Sequence, residues 1–379
     1  MHITLLDIPE FRGNLLPFTY LRPLSEIRIG ILTITEKWKY HGEEIGWITQ
    51  PYLSEKYPQK NADLTYLING ALCPDAELVA AIRQLKPGEA LMSESVFLAA
   101  HDTTETGQAL VDGTELGSHI KKIEYRAPYT LVANLWDIYG LNAAQIKADF
   151  EVVTRGRKSQ GIEDPFTRVY NPLNVFVEEG AKIRSAIINA DTGPVYIGKN
   201  SEIGEGAVIR GSFALCEYSS VNMGAKMRGD TTVGPHSKIG GEVANSIIFG
   251  YSNKGHDGYM GNSVVGEWCN FGADTNTSNL KNTYDEIKLW NYPARKFVKT
   301  GQQFCGLMMG DHSKCGINTM FNSGTVVGIC ANVLGEGYHR NFIPSFTWGG
   351  INGFTTFRLQ QVFDVAQRVV ARRNMDFPD

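Results

Sequence analysis

The chain has 379 residues, 42% of them hydrophobic and 20% charged, with a formal net charge of −4. That length asks for two domains rather than one core, and the acidic balance removes the electrostatic case for nucleic acid or an anionic membrane as a partner. Cys73, Cys216, Cys269, Cys305, Cys315 and Cys330 stand singly, and no stretch reaches the roughly 18 apolar residues of a membrane span, so reduced thiols in a cytoplasmic protein are expected.

Over residues 1–165, short apolar runs (HITLLDI, LTYLING, ALMSESVFLAA) alternate with helical stretches. DAELVAAIRQL, Asp75–Leu85, has helical apolar spacing with Asp75 as its N-cap. Such alternation predicts an α/β domain.

The segment LLPFTYLRPLSEIRIGILTITEKW carries Leu21-Arg22-Pro23-Leu24-Ser25 and then Lys37. It resembles a worn form of the sugar-1-phosphate nucleotidyltransferase signature. The resemblance implies nucleotide or phosphate contacts at Arg22 and Lys37, with Mg²⁺ and UTP used only if this domain is active. Two family parts are missing. Asp7-Ile8-Pro9-Glu10-Phe11-Arg12-Gly13 replaces the Gly-rich loop whose backbone N–H groups cradle phosphates, and Asn69-Gly70-Ala71 replaces the Gly-Asp pair whose Asp binds Mg²⁺.

Residues 166–345 are periodic. Ile197, Ile203, Ile209, Leu215, Val221, Met227, Val233 and Ile239 fall every six residues, often followed by Gly. The register resumes at Val265 and Phe271, and again at Met309, Cys315, Phe321, Val327 and Val333. A period of six fits neither a helix nor a simple strand. It fits a short strand plus a corner, three of which make a triangular coil that buries a continuous apolar column. These repeats resemble the left-handed parallel β-helix acyltransferases, usually homotrimers with sites between neighbouring coils. The expected fold is therefore an α/β nucleotidyltransferase-like domain, an all-β left-handed parallel β-helix and a C-terminal helix.

The period fails between Ile239 and Val265 and between Asn276 and Phe304, which is expected where functional loops leave the stack. Acetyl transfer to an amine needs a base, donors for the oxyanion and cations for a phosphate. His256 suits the base. Asn270 and Asn279 suit orientation of the amino sugar or acetyl group, and Arg228, Lys254 and Lys288 suit phosphate anchoring. His256, Tyr259, Asn270 and Asn279 stand at spacings that resemble the acetyltransferase half of the bifunctional glucosamine-1-phosphate N-acetyltransferase/UDP-N-acetylglucosamine pyrophosphorylase family. The resemblance covers nearly the whole chain and points to a variant bacterial branch. It implies His256 as base, Tyr259 and Asn270 on the sugar phosphate, Asn279 near the acetyl group, and Arg228 as a phosphate contact. Ala244 stands where the family has a lysine, and Asp274 where it has a glycine.

GLMMGDHSKCGINTMFNSGTVVG resembles the family's acetyl-CoA-lining coils, which implies cofactor contacts at Gly316, Ile317 and Gly335. Nothing in the spacing of His236, His312 and His339 selects for metal geometry, so no metal is expected. Over residues 346–379, Phe357, Val362, Phe363, Ala366, Val369 and Val370 form a helical stripe, expected to cap the solenoid end or a trimer seam. The expected activity is N-acetylation of an amino sugar 1-phosphate, glucosamine-1-phosphate first, by acetyl-CoA, with uridylyl transfer as a second step. The alternative is a non-catalytic sugar-nucleotide-sensing domain on a structural β-helix trimer.

Overall fold

A computed structural model describes residues 1–42, 44–60 and 64–377. Two compact units emerge: Met1–Arg28 with Leu32–Asp137, and Ile29–Ile31 with Ile138–Asp379. The boundary expected at residue 165 falls inside the second unit. The helix Asn142–Thr154 belongs there because Asn142 donates to the Asp230 carbonyl at 3.0 Å and accepts from Thr232 Oγ1 at 3.2 Å.

The first unit holds a six-stranded mixed sheet. Its order is Glu44–Ile48, His2–Leu6, Thr65–Asn69, Val96–Asp102, Glu89–Ser93 and Lys121–Glu124. The strand His2–Leu6 runs parallel to both of its neighbours, and Thr65–Asn69 pairs antiparallel with Val96–Asp102. Leu6, Ile48, Leu67, Ala90, Phe97 and Leu110 form the core on one face. The helix Ile34–Lys39 starts at a reciprocal capping box between Thr33 and Glu36. The helix Ala76–Arg83 starts at Asp75, whose carboxylate accepts from the Leu78 N–H at 2.9 Å.

The second unit is a parallel β-solenoid with three long sheets. The first sheet runs from Val175–Val177 to Phe342–Ile343, and the second begins at Lys182–Ile183. The third runs from Arg168–Tyr170 to Met320–Phe321. Each coil contributes one short strand to each sheet. The eight six-spaced residues from Ile197 to Ile239 all point inward and are at most 2% exposed. Corner residues between the first and second sheets take the left-handed conformation, among them Tyr218, His236, Tyr251, Trp268 and His312. Stacked coils align these rings into a column with centroids 4.9, 4.9, 4.4 and 6.0 Å apart.

The first break in the period is not a loop that leaves the stack. Inward positions continue through Val243, Ile248, Lys254, Met260 and Val265, in register with the coil before. Three corners are merely shorter, and a lysine fills one inward position, which hides the pattern from a count of six. The second break is a true excursion. An antiparallel hairpin, Lys288–Asn291 with Lys296–Lys299, leaves the coils, and its Trp290 stacks on Phe342 at 4.2 Å.

A second antiparallel pair, Thr347–Gly350 with Gly353–Thr356, finishes the second sheet. The helix Leu359–Ala371 buries Val362, Ala366 and Val370. It lies along the side of the coils rather than over their end. Its thirteen residues span about 20 Å, which suits the five coil steps of about 4.8 Å between the corners at Phe346 and His236. Arg373 fastens the far end by donating to the carbonyls of His236 and Tyr251 at 2.5 and 3.1 Å. Phe363 points outward and is half exposed, because residues four apart set the buried face. No helix among the described residues is long and apolar enough to cross a membrane.

Candidate functional site

The corner between the second and third sheets carries His256, Gly316, Ile317 and Gly335 of the residues expected to act. The ladder pairs Ile239 with Lys254, Phe271 with Cys315, and Cys315 with Val333. Two residues past each inward position, His256, Ala273, Ile317 and Gly335 therefore occupy equivalent places on successive coils. His256 and Ile317 are exposed, and the coil rise of about 4.8 Å sets the spacing along this edge.

His256 borders a groove of about 580 Å³ along the second sheet. Lys182, Arg184 and Lys238 line it, with Glu202, Glu205 and Asp257. The cations were missed in the sequence, although a signal exists. The residue before each inward aliphatic points out of the second sheet, and Lys182 and Lys238 precede Ile183 and Ile239.

The backbone around His256 is pinned from below. Asn222 Nδ2 donates to the Gly255 carbonyl at 2.7 Å. The Lys254 ammonium donates to the carbonyls of Gly240, His256 and Asp257 at 3.2, 2.7 and 3.2 Å. Lys254 is only 2% exposed, and burial pushes its pKa down to about 8. The expectation that Lys254 anchors a phosphate is therefore corrected. Its ammonium is consumed by backbone carbonyls inside the coil.

Tyr259 begins the next strand, opposite Glu242. Its hydroxyl accepts from Asn279 Nδ2 at 3.0 Å, and that amide also donates to Asn262 Oδ1 at 2.8 Å. The Tyr259 N–H donates to Asn276 Oδ1 at 2.7 Å. Burial raises the phenol pKa, and the nearby Arg228 charge opposes that rise. Arg228 pairs with Glu242 at 2.9 Å on the exposed surface. Tyr259, Asn279 and Arg228 thus form one cluster along the third sheet, which the chain enters after the His256 corner.

Asn270 lies elsewhere on the second sheet, between Asn253 and Lys314, where it lines a separate cavity under the C-terminal helix. Lys288 is exposed on the hairpin. Gly316 and Ile317 follow the strand Lys314–Cys315, and Gly335 follows the strand Asn332–Val333.

In the first unit, Arg22 and Lys37 are buried, 4% and 5% exposed, and the Arg22 guanidinium donates to the Phe18 carbonyl at 3.3 Å. Where a phosphate-cradling loop is absent, a short helix, Pro9–Asn14, brings Arg12 against buried Asp7 at 2.8 Å. Asp7 also accepts from the Leu24 N–H at 2.6 Å, and burial raises its pKa despite these partners. Asn69 is fully buried and spends its amide on the Phe97 carbonyl and the Ala71 N–H, both at 3.0 Å. These residues do not fit a Mg²⁺–nucleotide group. Among the described residues no group of three or more His, Cys, Asp or Glu is placed to hold a metal. His236 and His312 are members of the stacked ring column, and His339 is buried at 2% exposure.

Residues 3–158 match the family model described as sugar nucleotidyl transferase. A bifunctional sugar-1-phosphate nucleotidylyltransferase/acetyltransferase from Sulfurisphaera tokodaii is 30% identical over 159 residues, 41% of this chain and 37% of the relative. The bifunctional protein GlmU of Synechococcus elongatus is 24% identical over 219 residues, 52% of this chain and 44% of the relative. GlmU of Methanocaldococcus jannaschii is 37% identical over 87 residues, 23% of this chain and 21% of the relative. The matched region therefore spans less than half the length of each of these relatives. Over residues 3–158 the chain is thus similar to sugar nucleotidyl transferases, and over about half of its length or less it is similar to bifunctional sugar-1-phosphate nucleotidylyltransferase/acetyltransferase proteins.

Proposed function

We propose that the second unit is an N-acetyltransferase that moves acetyl from acetyl-CoA to the amine of an amino sugar 1-phosphate, glucosamine-1-phosphate first. The observation that carries this reading is His256, exposed on a rigid corner at the mouth of a groove lined by three cations. His256 takes the ammonium proton, and the freed amine attacks the thioester carbonyl. The C–S bond breaks, the proton held by His256 is returned to the departing thiolate, and the acylated nitrogen releases its second proton to solvent to leave the neutral amide. Lys182, Arg184 and Lys238 suit the phosphate. Tyr259, Asn279 and Arg228 suit the sugar, and the corner through Ile317, with Gly316 and Gly335, suits the thioester arm.

Asn270 and Lys288 stand away from this corner. In the homotrimer that the reading includes, they serve a neighbouring copy's groove. A solenoid surface has no deep pocket of its own, and a second copy supplies the missing wall.

The test is acetyl-CoA consumption with glucosamine-1-phosphate. Wild type turns over, and His256→Ala loses about 10²- to 10⁴-fold in kcat. A wild type that is inactive on both glucosamine-1-phosphate and galactosamine-1-phosphate would sink the proposal.

A second reading concerns the first unit. Burial of Arg22 and Lys37 weighs against an active uridylyltransferase there.

A further inference from the structure

The cavity under the C-terminal helix, about 370 Å³, gathers four cations, of which only Lys238 also lines the groove assigned to acetyl transfer. Lys238, Lys314, Arg372 and Arg373 line it, and no acidic residue does. Among the described residues, no carboxylate forms an ion pair with any of the four.

Two of the cations are held in place by backbone. Lys314 is half-buried, and its ammonium donates to the His312 carbonyl at 2.8 Å, leaving two N–H bonds for another acceptor. Burial lowers its pKa. Arg373 is fixed by the carbonyls of His236 and Tyr251 and by Asn253 Oδ1. Arg372 is exposed at the rim, and Lys238 stands on the sheet below. Like charges gathered around one cavity repel each other, and the walls weaken the water that would screen them. An anion of high charge density relieves that repulsion.

The aromatic wall narrows the choice of ligand. Trp268 already stacks on Tyr251 at 4.4 Å, and Arg373 sits 5.9 Å from the Trp268 ring centre. Neither ring offers a free face to a nucleobase. Recognition therefore falls on phosphate oxygens, which accept several charge-assisted hydrogen bonds at once.

We propose that this cavity is a diphosphate-binding site formed between the C-terminal helix and the second sheet. The same group occurs as free pyrophosphate, as the diphosphate of coenzyme A and in nucleotide sugars.

The experiment is calorimetric titration of the full chain with sodium pyrophosphate, for wild type, Arg372→Gln and the double variant Arg372→Gln/Lys314→Gln. Saturable binding is expected to weaken about threefold in the single variant and tenfold or more in the double. If the double variant melts early, the single variant decides, because the Arg372 side chain makes no hydrogen bond or ion pair among the described residues. Absence of binding by wild type at millimolar pyrophosphate, or wild-type affinity in both variants, overturns the proposal. Competition separates the sources. Displacement by coenzyme A assigns the diphosphate to that molecule, and displacement by UDP-N-acetylglucosamine alone assigns it to a nucleotide sugar. Displacement by neither leaves free pyrophosphate, and the site stands in all three cases.

Discussion

Lys254 occupies a position that the coils above and below fill with Phe271 and Ile239, so its ammonium is carried into an apolar column. It is tolerated because three carbonyls receive it, and those carbonyls form the turn that presents His256. Its ordinary pKa is about 10.4, and its folded pKa is lowered to about 8. The sign follows from linkage. Below pH 8 both folded and unfolded chains hold the proton, and the folded chain carries the full cost of a buried charge. As pH rises through 8 toward the unfolded value, the folded chain alone sheds the proton and that cost fades. Between pH 7.5 and 9.5, wild type should therefore gain about 2 kcal/mol relative to Lys254→Met, read as urea unfolding at both pH values. A gap that does not change with pH would remove this account of the lysine. Lys254 also shows where sequence reasoning stops. Its charge suggested a surface anchor, and only the strand register reveals that it points inward.

At the scale of elements, the corner from His256 to Tyr259 turns through Gly258, whose φ is +111°. A Cβ there would meet the Thr275 carbonyl of the next coil. Gly224, at φ +69° on an earlier corner, has open space around it. Gly258→Ala is expected to cost about 2–4 kcal/mol and to depress acetyl transfer, whereas Gly224→Ala costs about 1–2 kcal/mol and leaves turnover near wild type. Thermal melts and rates on the pair check this, and equal costs would mean the corner is not tightly packed. The coils themselves were legible because a buried aliphatic every six residues has few structural solutions. The shortened corners before Val243, Ile248 and Val265 were not, since dropping one or two residues breaks a count while leaving the stack intact. The sugar-side cluster was half legible. Spacing brought out Tyr259 and Asn279, but the groove cations Lys182 and Arg184 lie more than seventy residues upstream and meet His256 only through coil stacking.

For the molecule as a whole, the first unit has a six-stranded sheet, places buried Asn69 on backbone partners and buries Arg22 and Lys37. Pyrophosphate release from UTP with Mg²⁺ and N-acetylglucosamine-1-phosphate is therefore expected to stay at background while acetyl transfer proceeds. Release that depends on Mg²⁺ would restore the uridylyltransferase reading for that unit. The second unit would by itself be a one-dimensional array, each coil touching only its neighbours and free to fray from its end. The helix Leu359–Ala371 changes this by spanning about five coils and locking at Arg373. Deleting the chain from Leu359 onward should broaden the second unit's melting transition and lower its midpoint by several degrees, as differential scanning calorimetry would record. An unchanged, sharp transition would mean that the helix adds little to cooperativity. The same clasp bears on force. Tension applied to the C-terminus must first peel a helix whose far anchor lies mid-solenoid. The coils beneath then feel no load until the Arg373 contacts give way, so the molecule resists pulling at a latch rather than at its last rung.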